Sequence, residues 1–225
     1  LAEAAKENTW LNEKALVAKP DMLFGKRGKN DLVLFKDAKP GDVSLAKAIS
    51  WIDEKSSSEQ KVYFSFDGDT PTGEPSVDML THFVVEPFTP HSQEEEYYIS
   101  ATCVGDDDML YMSAEGGMEV EEGWEEKVTE VAFKITDTEE EIAERIRANV
   151  PDDVADKDKA AFAEFAIGFF KAYRELNFAY LEINPFVMQG NKIELLDMVA
   201  KLDDTAGFMM VDAWGDVEYP TAFGM

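Results

Sequence analysis

Apolar positions recur along this chain in two rhythms, and most of its elements can be placed from them. Near the N terminus, residues 15–18 and 32–35 are short apolar runs on either side of the polar stretch GKRGKND. Pro20 argues against a helix there, so the expected order is strand, basic loop, strand. In DVSLAKAISWIDEK, Leu45, Ala48, Ile49 and Ile52 fall on one helical face, with Asp42 or Ser44 as the cap. Residues 56–77 are rich in Ser, Gly, Pro and Asp and break the pattern. They predict an exposed insertion in which VYFSF has the composition of a short strand.

Further on, HFVVEPF predicts a strand ended by Pro87, and YYISATCV, GDDD and MLYMSA predict a hairpin with an acidic turn. The strand VAFKI follows, and then a capping box in which Thr138 precedes Glu141 by three residues, ahead of Ile142 and Ile146. A long helix over about 158–176 stacks Phe162, Phe165, Phe169 and Tyr173 at helical spacing, which marks a core stripe. Strands and helices mix without a strict βαβ repeat, so the predicted class is α+β.

The stretch YLEINPFVMQGNKIELLDM carries the most chemistry. Gly190 and Asn191 suit a two-residue type II′ turn, which sets Gln189 opposite Lys192, Met188 opposite Ile193, Phe186 opposite Leu195 and Asn184 opposite Asp197. Strict alternation then places Glu182, Asn184, Phe186 and Met188 on one face with Asp197, Leu195 and Ile193. Pro185 removes one ladder N–H and predicts an edge or a bulge. Asn184 and Asp197 offer an amide oxygen and a carboxylate, a donor set that suits Mg²⁺ completed by water and phosphate. A sheet end in which the two side chains are merely hydrogen-bonded fits the same residues.

Composition narrows the function classes. The 225 residues are 45% hydrophobic and 12% aromatic, enough to bury a sizeable core, and no apolar run reaches the eighteen or so residues of a membrane span. Cys103 is the only cysteine, so no intrachain disulfide can form, and a cytoplasmic location is the expectation. A net charge of −26 opposes binding to nucleic acid and to anionic membranes. Against it, Lys14, Lys19, Lys26, Arg27, Lys29, Lys36 and Lys39 cluster with only Asp21, Asp31 and Asp37 among them, which fits either a solvated loop with ordinary charge scatter or a local anion site. A basic loop for phosphate and an acidic hairpin for its metal together suggest a Mg-nucleotide, although neither GxxxxGK[ST] nor GxGxxG is present.

With these residues in place, VAKPDMLFGKRGK, VVEPFTPHSQ, EGGMEVEEGW, YLEINPF, LDDTA and WGDVEYPTAFG stand in an order and spacing that resembles the ATP-grasp portion of the ATP-citrate lyases. More distantly the set is similar to the β subunit of succinyl-CoA synthetases. The resemblance covers nearly the whole chain, and six ordered motifs carry it. It implies an ATP-grasp fold of two α+β lobes that clamp ATP, here expected as 1–85 and 86–225. By position it implies that Lys19 binds phosphate and that Lys26, Arg27 and Gly28 form a mobile loop over it. Glu86 and the backbone around Phe88 would lie at the adenine, Glu96 at the ribose, and Asn184 and Asp197 at Mg²⁺. Glu182 would receive a histidine from a CoA-ligase domain or subunit. That histidine takes a phosphoryl group from ATP and passes it to the organic acid, and CoA captures the acyl phosphate.

The same resemblance implies that citrate and CoA bind mainly outside this chain, and that the enzyme is a hetero- or homo-oligomer. The chain opens at Leu1 inside an amphipathic segment, LAEAAKENTWL, and is expected to be a fragment. His82 and His91 lack the glycine-rich setting of the family's phosphohistidine and are expected to be structural or exposed. Two departures stand out. Asn30 and Asp31 replace a glycine usual after KRGK, and the insertion at 56–77 is longer than the family's connection. A succinyl-CoA synthetase-like subunit and a non-catalytic nucleotide-binding module remain alternative readings; Asn30 and Asp31 speak for the latter.

Overall fold

The computed structural model describes residues 1–34, 42–117, 120, 124–190 and 192–224, so Lys36, Asp37, Lys39 and Asn191 lie outside the described residues. Two compact units make up the chain, Leu1–Pro90 with Glu218–Met225, and His91–Val217.

The first unit opens with two single-turn helices, α1 (Ala4–Glu7) and α2 (Trp10–Glu13), and then strands β1 (Leu16–Pro20) and β2 (Met22–Leu23). Helix α3 (Leu45–Ser56) is capped by Ser44, whose hydroxyl accepts from the Lys47 N–H. Its buried residues are Ala48 and Trp51, so the stripe centres on a tryptophan that the spacing argument passed over. That helix face joins Leu11, Leu16, Ala18, Leu34 and Val43 in one core.

The expected strand over 32–35 is absent at the described positions, 32–34, and Phe35 lies outside them. Leu32 and Leu34 are instead buried in two different clusters. The strand that precedes the loop has its partner at the other end of the sequence, where Thr221–Ala222 pairs in parallel with β2. Residues 56–77 are more ordered than their composition suggests. Strands β3 (Glu59–Val62) and β6 (Ser76–Met79) pair antiparallel and enclose a second pair, β4 (Ser65–Asp67) with β5 (Thr70–Thr72). Strand β7 (Phe83–Pro87) pairs with β1 along its whole length, so a lobe boundary after residue 85 would cut a strand. The observed division falls after Pro90, and the last residues rejoin the first unit.

In the second unit, β8 (Glu96–Val104) and β9 (Asp107–Ser113) form the expected hairpin, followed by α4 (Trp124–Lys127) and β10 (Thr129–Lys134). Then come α5 (Glu139–Ala148), α6 (Lys159–Glu175), the long strand β11 (Phe178–Gln189), β12 (Lys192–Leu195), β13 (Met198–Leu202) and α7 (Gly207–Trp214). The sheet order is β10-β9-β8-β11-β12, with β13 also on β11, and every pairing is antiparallel. Both halves of the capping box at Thr138 and Glu141 are formed. Phe162, Phe169, Phe170 and Tyr173 of α6 pack with Ile142 and Ile146 of α5 against Ile99, Leu110, Phe133, Leu181, Ile183 and Phe186 of the sheet. Each such side chain contributes roughly 1.5–3 kcal/mol on burial, which fixes the helices on the sheet.

Candidate functional site

In the first unit, Lys19 and Glu86 come from different motifs and meet across β1 and β7. Val17 faces Glu86 and Lys19 faces Val84, a diagonal offset that brings Lys19 Nζ to 3.0 Å from Glu86 Oε2. Lys19 is 9% exposed, and a buried ammonium needs such a partner. Next to this pair, the Phe88 N–H donates to the Ala15 carbonyl at 2.8 Å.

The basic loop is folded tightly on itself. The Asn30 N–H donates to Lys26 O at 3.1 Å, the Leu32 N–H donates to Arg27 O at 2.9 Å, and Arg27 Nη1 donates to Pro20 O at 3.0 Å. Lys26 and Asp31 have positive φ, 57° and 54°, so the turn holds two residues in the left-handed region. The two departures from the family pattern touch each other. Asn30 Nδ2 donates to Tyr63 O at 3.0 Å and its Oδ1 accepts from Tyr63 N–H at 2.8 Å, while Lys29 Nζ donates to Gly68 O at 3.1 Å.

In the second unit, the hairpin register is the one the turn chemistry predicts: Gln189 faces Lys192, Met188 faces Ile193 and Phe186 faces Leu195. The Asn184 N–H reaches Asp197 O at 3.0 Å, so their backbones are opposed as expected. The expected sharing of one face by Glu182, Asn184, Phe186 and Met188 is overturned. Against β8, Ile183 faces Ile99 but Phe186 faces Tyr97, so Asn184 and Pro185 together stand opposite Tyr98. Pro185 has no N–H for the ladder, and the bulge it causes shifts the alternation by one. Phe186 and Met188 therefore join Leu181 and Ile183 in the core, while Glu182 points to the opposite side of the sheet.

There Glu182 meets groups that the motif reading missed. Tyr180 Oη donates to Glu182 Oε2 at 2.6 Å and Tyr98 Oη to the same oxygen at 3.1 Å; Ser100 Oγ lies 2.8 Å from Tyr98 Oη. Burial first, and then the adjacent Glu182 carboxylate, push the Tyr180 phenol well above its ordinary range. Tyr98 moves the same way, with burial again the main cause. Both remain protonated donors at neutral pH and fix the carboxylate. Trp124 packs edge-on against Tyr98 at 5.5 Å and tilted against Tyr111 at 5.6 Å. Once the bulge is known, the period-two spacing of Tyr98 with Ser100 and of Tyr180 with Glu182 is the signal that would have found this cluster.

The Asn184 side chain also holds a glycine loop. Its Oδ1 accepts from Gly117 N–H at 2.7 Å and its Nδ2 donates to Gly117 O at 3.2 Å. A Cβ at Gly116 would lie 2.8 Å from Tyr97 O and 2.9 Å from Pro185 Cβ, so this glycine is set by close approach, whereas Gly117 is set by its positive φ of 64°. Glu96 Oε1 lies 3.1 Å from His91 Nε2, which makes the half-buried His91 a partner of an expected ribose residue. His82 is exposed, with Nδ1 2.8 Å from Thr81 Oγ1.

Asn184 Oδ1 keeps a second lone pair, and the half-buried Asp197 accepts the Met198 N–H through Oδ1 at 3.2 Å. Hard oxygen donors of this kind fit Mg²⁺, with water and phosphate completing the shell. Among the described residues, no group of three His, Cys, Asp or Glu forms an all-protein metal cage. Two concavities of the second unit, of about 410 and 480 Å³, contain none of the expected site residues.

The model of the family described as the ATP-citrate synthase ATP-grasp domain matches residues 1–214. ATP-citrate synthase alpha chain protein 3 of Arabidopsis thaliana is 33% identical over 222 residues, which cover 99% of this chain and 47% of the plant protein. ATP-citrate synthase of Bos taurus is 32% identical over 225 residues, 99% of this chain and 19% of that protein. This chain thus spans about half the length of the plant relative and a fifth of the bovine one. The structure of ATP citrate lyase from Methanothrix soehngenii in complex with citrate and coenzyme A superposes with a TM-score of 0.78 at 31% identity, covering 100% of this chain and 47% of that one.

Proposed function

Since the chain belongs to the ATP-citrate synthase ATP-grasp family, we propose that it is the Mg-ATP-binding part of an ATP-citrate lyase or citryl-CoA synthetase. Lys19 and the loop residues Lys26, Arg27 and Gly28 hold phosphate oxygens. Glu86 and the backbone at Phe88 take the adenine, and Glu96 takes the ribose. Asn184 and Asp197 hold Mg²⁺, which neutralises phosphate charge when bound. Glu182, braced by two phenols, accepts the N–H of a histidine brought by a CoA-ligase domain or subunit and turns its other nitrogen toward the γ-phosphorus.

That nitrogen forms the new bond to phosphorus as the bond to the ADP oxygen breaks. A citrate carboxylate then takes the phosphoryl group, and the CoA thiolate displaces phosphate from citryl phosphate to give citryl-CoA. Cleavage to acetyl-CoA and oxaloacetate belongs to other parts of the lyase. We place the enzyme in the cytoplasm, as a hetero- or homo-oligomer with most of its citrate and CoA contacts outside this chain.

The observation that carries this reading is one hairpin that supplies Glu182, Asn184 and Asp197 in a chain that the family model matches over residues 1–214. The test is calorimetric titration with ATP, with and without Mg²⁺. Binding should depend on Mg²⁺, and Asp197→Ala should remove that dependence with the fold retained; equal ATP affinity with and without the metal in both proteins would refute the metal role. With the histidine-bearing partner added, citrate should discharge the phosphohistidine. Discharge by succinate and not citrate would refute the substrate.

A further inference from the structure

The loop that carries Lys26, Arg27 and Gly28 has a brace of its own, built from the nested hairpins at 59–79. Both ends of the loop are rooted in one small core, where Phe24 and Leu32 pack with Met22, Val62, Leu80 and Phe223. Phe24 and Phe223 have ring centroids 5.0 Å apart. Val62 closes the outer hairpin pair against Ser76, and the next residue, Tyr63, presents its backbone to the loop. Asn30 meets it with both ends of its amide, accepting from Tyr63 N–H at 2.8 Å and donating to Tyr63 O at 3.0 Å. The pattern is that of a peptide pairing with a peptide, made by a side chain. The same Nδ2 also donates to Lys26 O at 3.0 Å, so one residue ties the turn to itself and to the hairpin. At the hairpin tip, Lys29 Nζ donates to Gly68 O and lies 5.8 Å from the Phe66 ring centroid.

We infer that Asn30 is a positioning residue, and that the inserted hairpins hold the basic loop in one conformation before ligand arrives. A loop already ordered does not lose its conformational freedom on binding, and affinity rises by the cost avoided. The gain falls on the phosphate end of a ligand, because the loop's cations lie there in the proposed reading, on which this inference rests. Asn30 touches no reacting atom; it acts through the backbone of Lys26.

The experiment joins amide hydrogen exchange of the unliganded chain to calorimetry with ATP and with adenosine. Asn30→Ala should raise exchange in residues 25–32 and 62–66 together by roughly tenfold, the effect of losing one or two net hydrogen bonds. Residues of α6 serve as the internal control and should not change. ATP affinity in Mg²⁺ should fall by roughly tenfold, with adenosine affinity unaltered. Tyr63→Pro removes the N–H from the hairpin side and should loosen 25–32 without altering any residue of the loop. Unchanged exchange at 25–32 in both variants overturns the brace, and an equal loss for ATP and adenosine overturns its link to phosphate. Should the unsubstituted chain bind no ATP, the proposed function is what fails, and the exchange result decides the brace by itself.

Discussion

Pro185 cannot donate to β8, and the ladder absorbs that loss by setting Asn184 and Pro185 together opposite Tyr98. One imino acid thus sends Phe186 into the core and leaves Glu182 among phenols. Period-two alternation showed that two faces exist, but a bulge is a change of phase within a strand, and its consequence for Glu182 was not legible. The partners of the site residues were hidden for a related reason. Asn30 reaches across 33 positions to Tyr63, and Asn184 across 67 to Gly117, separations at which no local pattern operates.

The Glu182 cluster has a pH signature. Unfolded tyrosines ionise near pH 10, whereas Tyr98 and Tyr180 keep their protons above that. In that window the folded chain binds more protons than the unfolded one, so stability present below pH about 10 declines as pH rises beyond it. Chemical denaturation from about pH 9 to about pH 11 should show this decline to be shallower in the Tyr98→Phe, Tyr180→Phe double variant. A slope equal to that of the parent would mean that the phenols titrate freely. At neutral pH, Tyr180→Phe should lower the rate of histidine phosphorylation by roughly tenfold while ATP affinity holds, as expected when a positioning contact is lost.

At the scale of elements, legibility followed the strength of the local rule. The Thr138 and Glu141 capping box was readable because its spacing is fixed by hydrogen bonds within one turn. Thr138→Ala should cost about 1 kcal/mol in denaturant unfolding, and a change below ~0.3 kcal/mol would show that Glu141 holds the helix start alone. The register of β11 with β12 was readable from Gly190, whose φ of +63° suits the turn assigned to it. In contrast, the pieces EQKV, SFD and TPT of the nested hairpins have almost no apolar alternation and mostly exposed side chains. Their order comes from pairing with one another and from Val62, which is fully buried. Val62→Ala should therefore loosen the hairpins and the basic loop together, while the exchange of α5 and α6 stays as it was.

The whole molecule is the scale at which sequence order and spatial order part company. The α+β class and the ATP-grasp fold could be read from the mixture of elements and from six ordered motifs. The unit boundary could not, because residues 218–225 return to the first unit across the entire second one. Gly224 N–H donates to Asp78 at 2.9 Å and Phe223 is buried beside Phe24, so this short segment is part of that unit's core. Removing residues 218–225 should lower the thermal midpoint of the first unit by several degrees and leave hydrogen exchange in the sheet of the second unchanged. Loss of protection in both would show that the two units unfold as one.

That return also sets a schedule for synthesis. A ribosome makes the second unit as one uninterrupted stretch, which can collapse as soon as α7 has emerged. The first unit appears earlier but must wait with Met22, Phe24 and Leu32 incompletely covered until Phe223 has been translated. Its oldest residues are the last to be sealed, and during that interval the nascent chain offers chaperones an unfinished apolar surface at the foot of the basic loop.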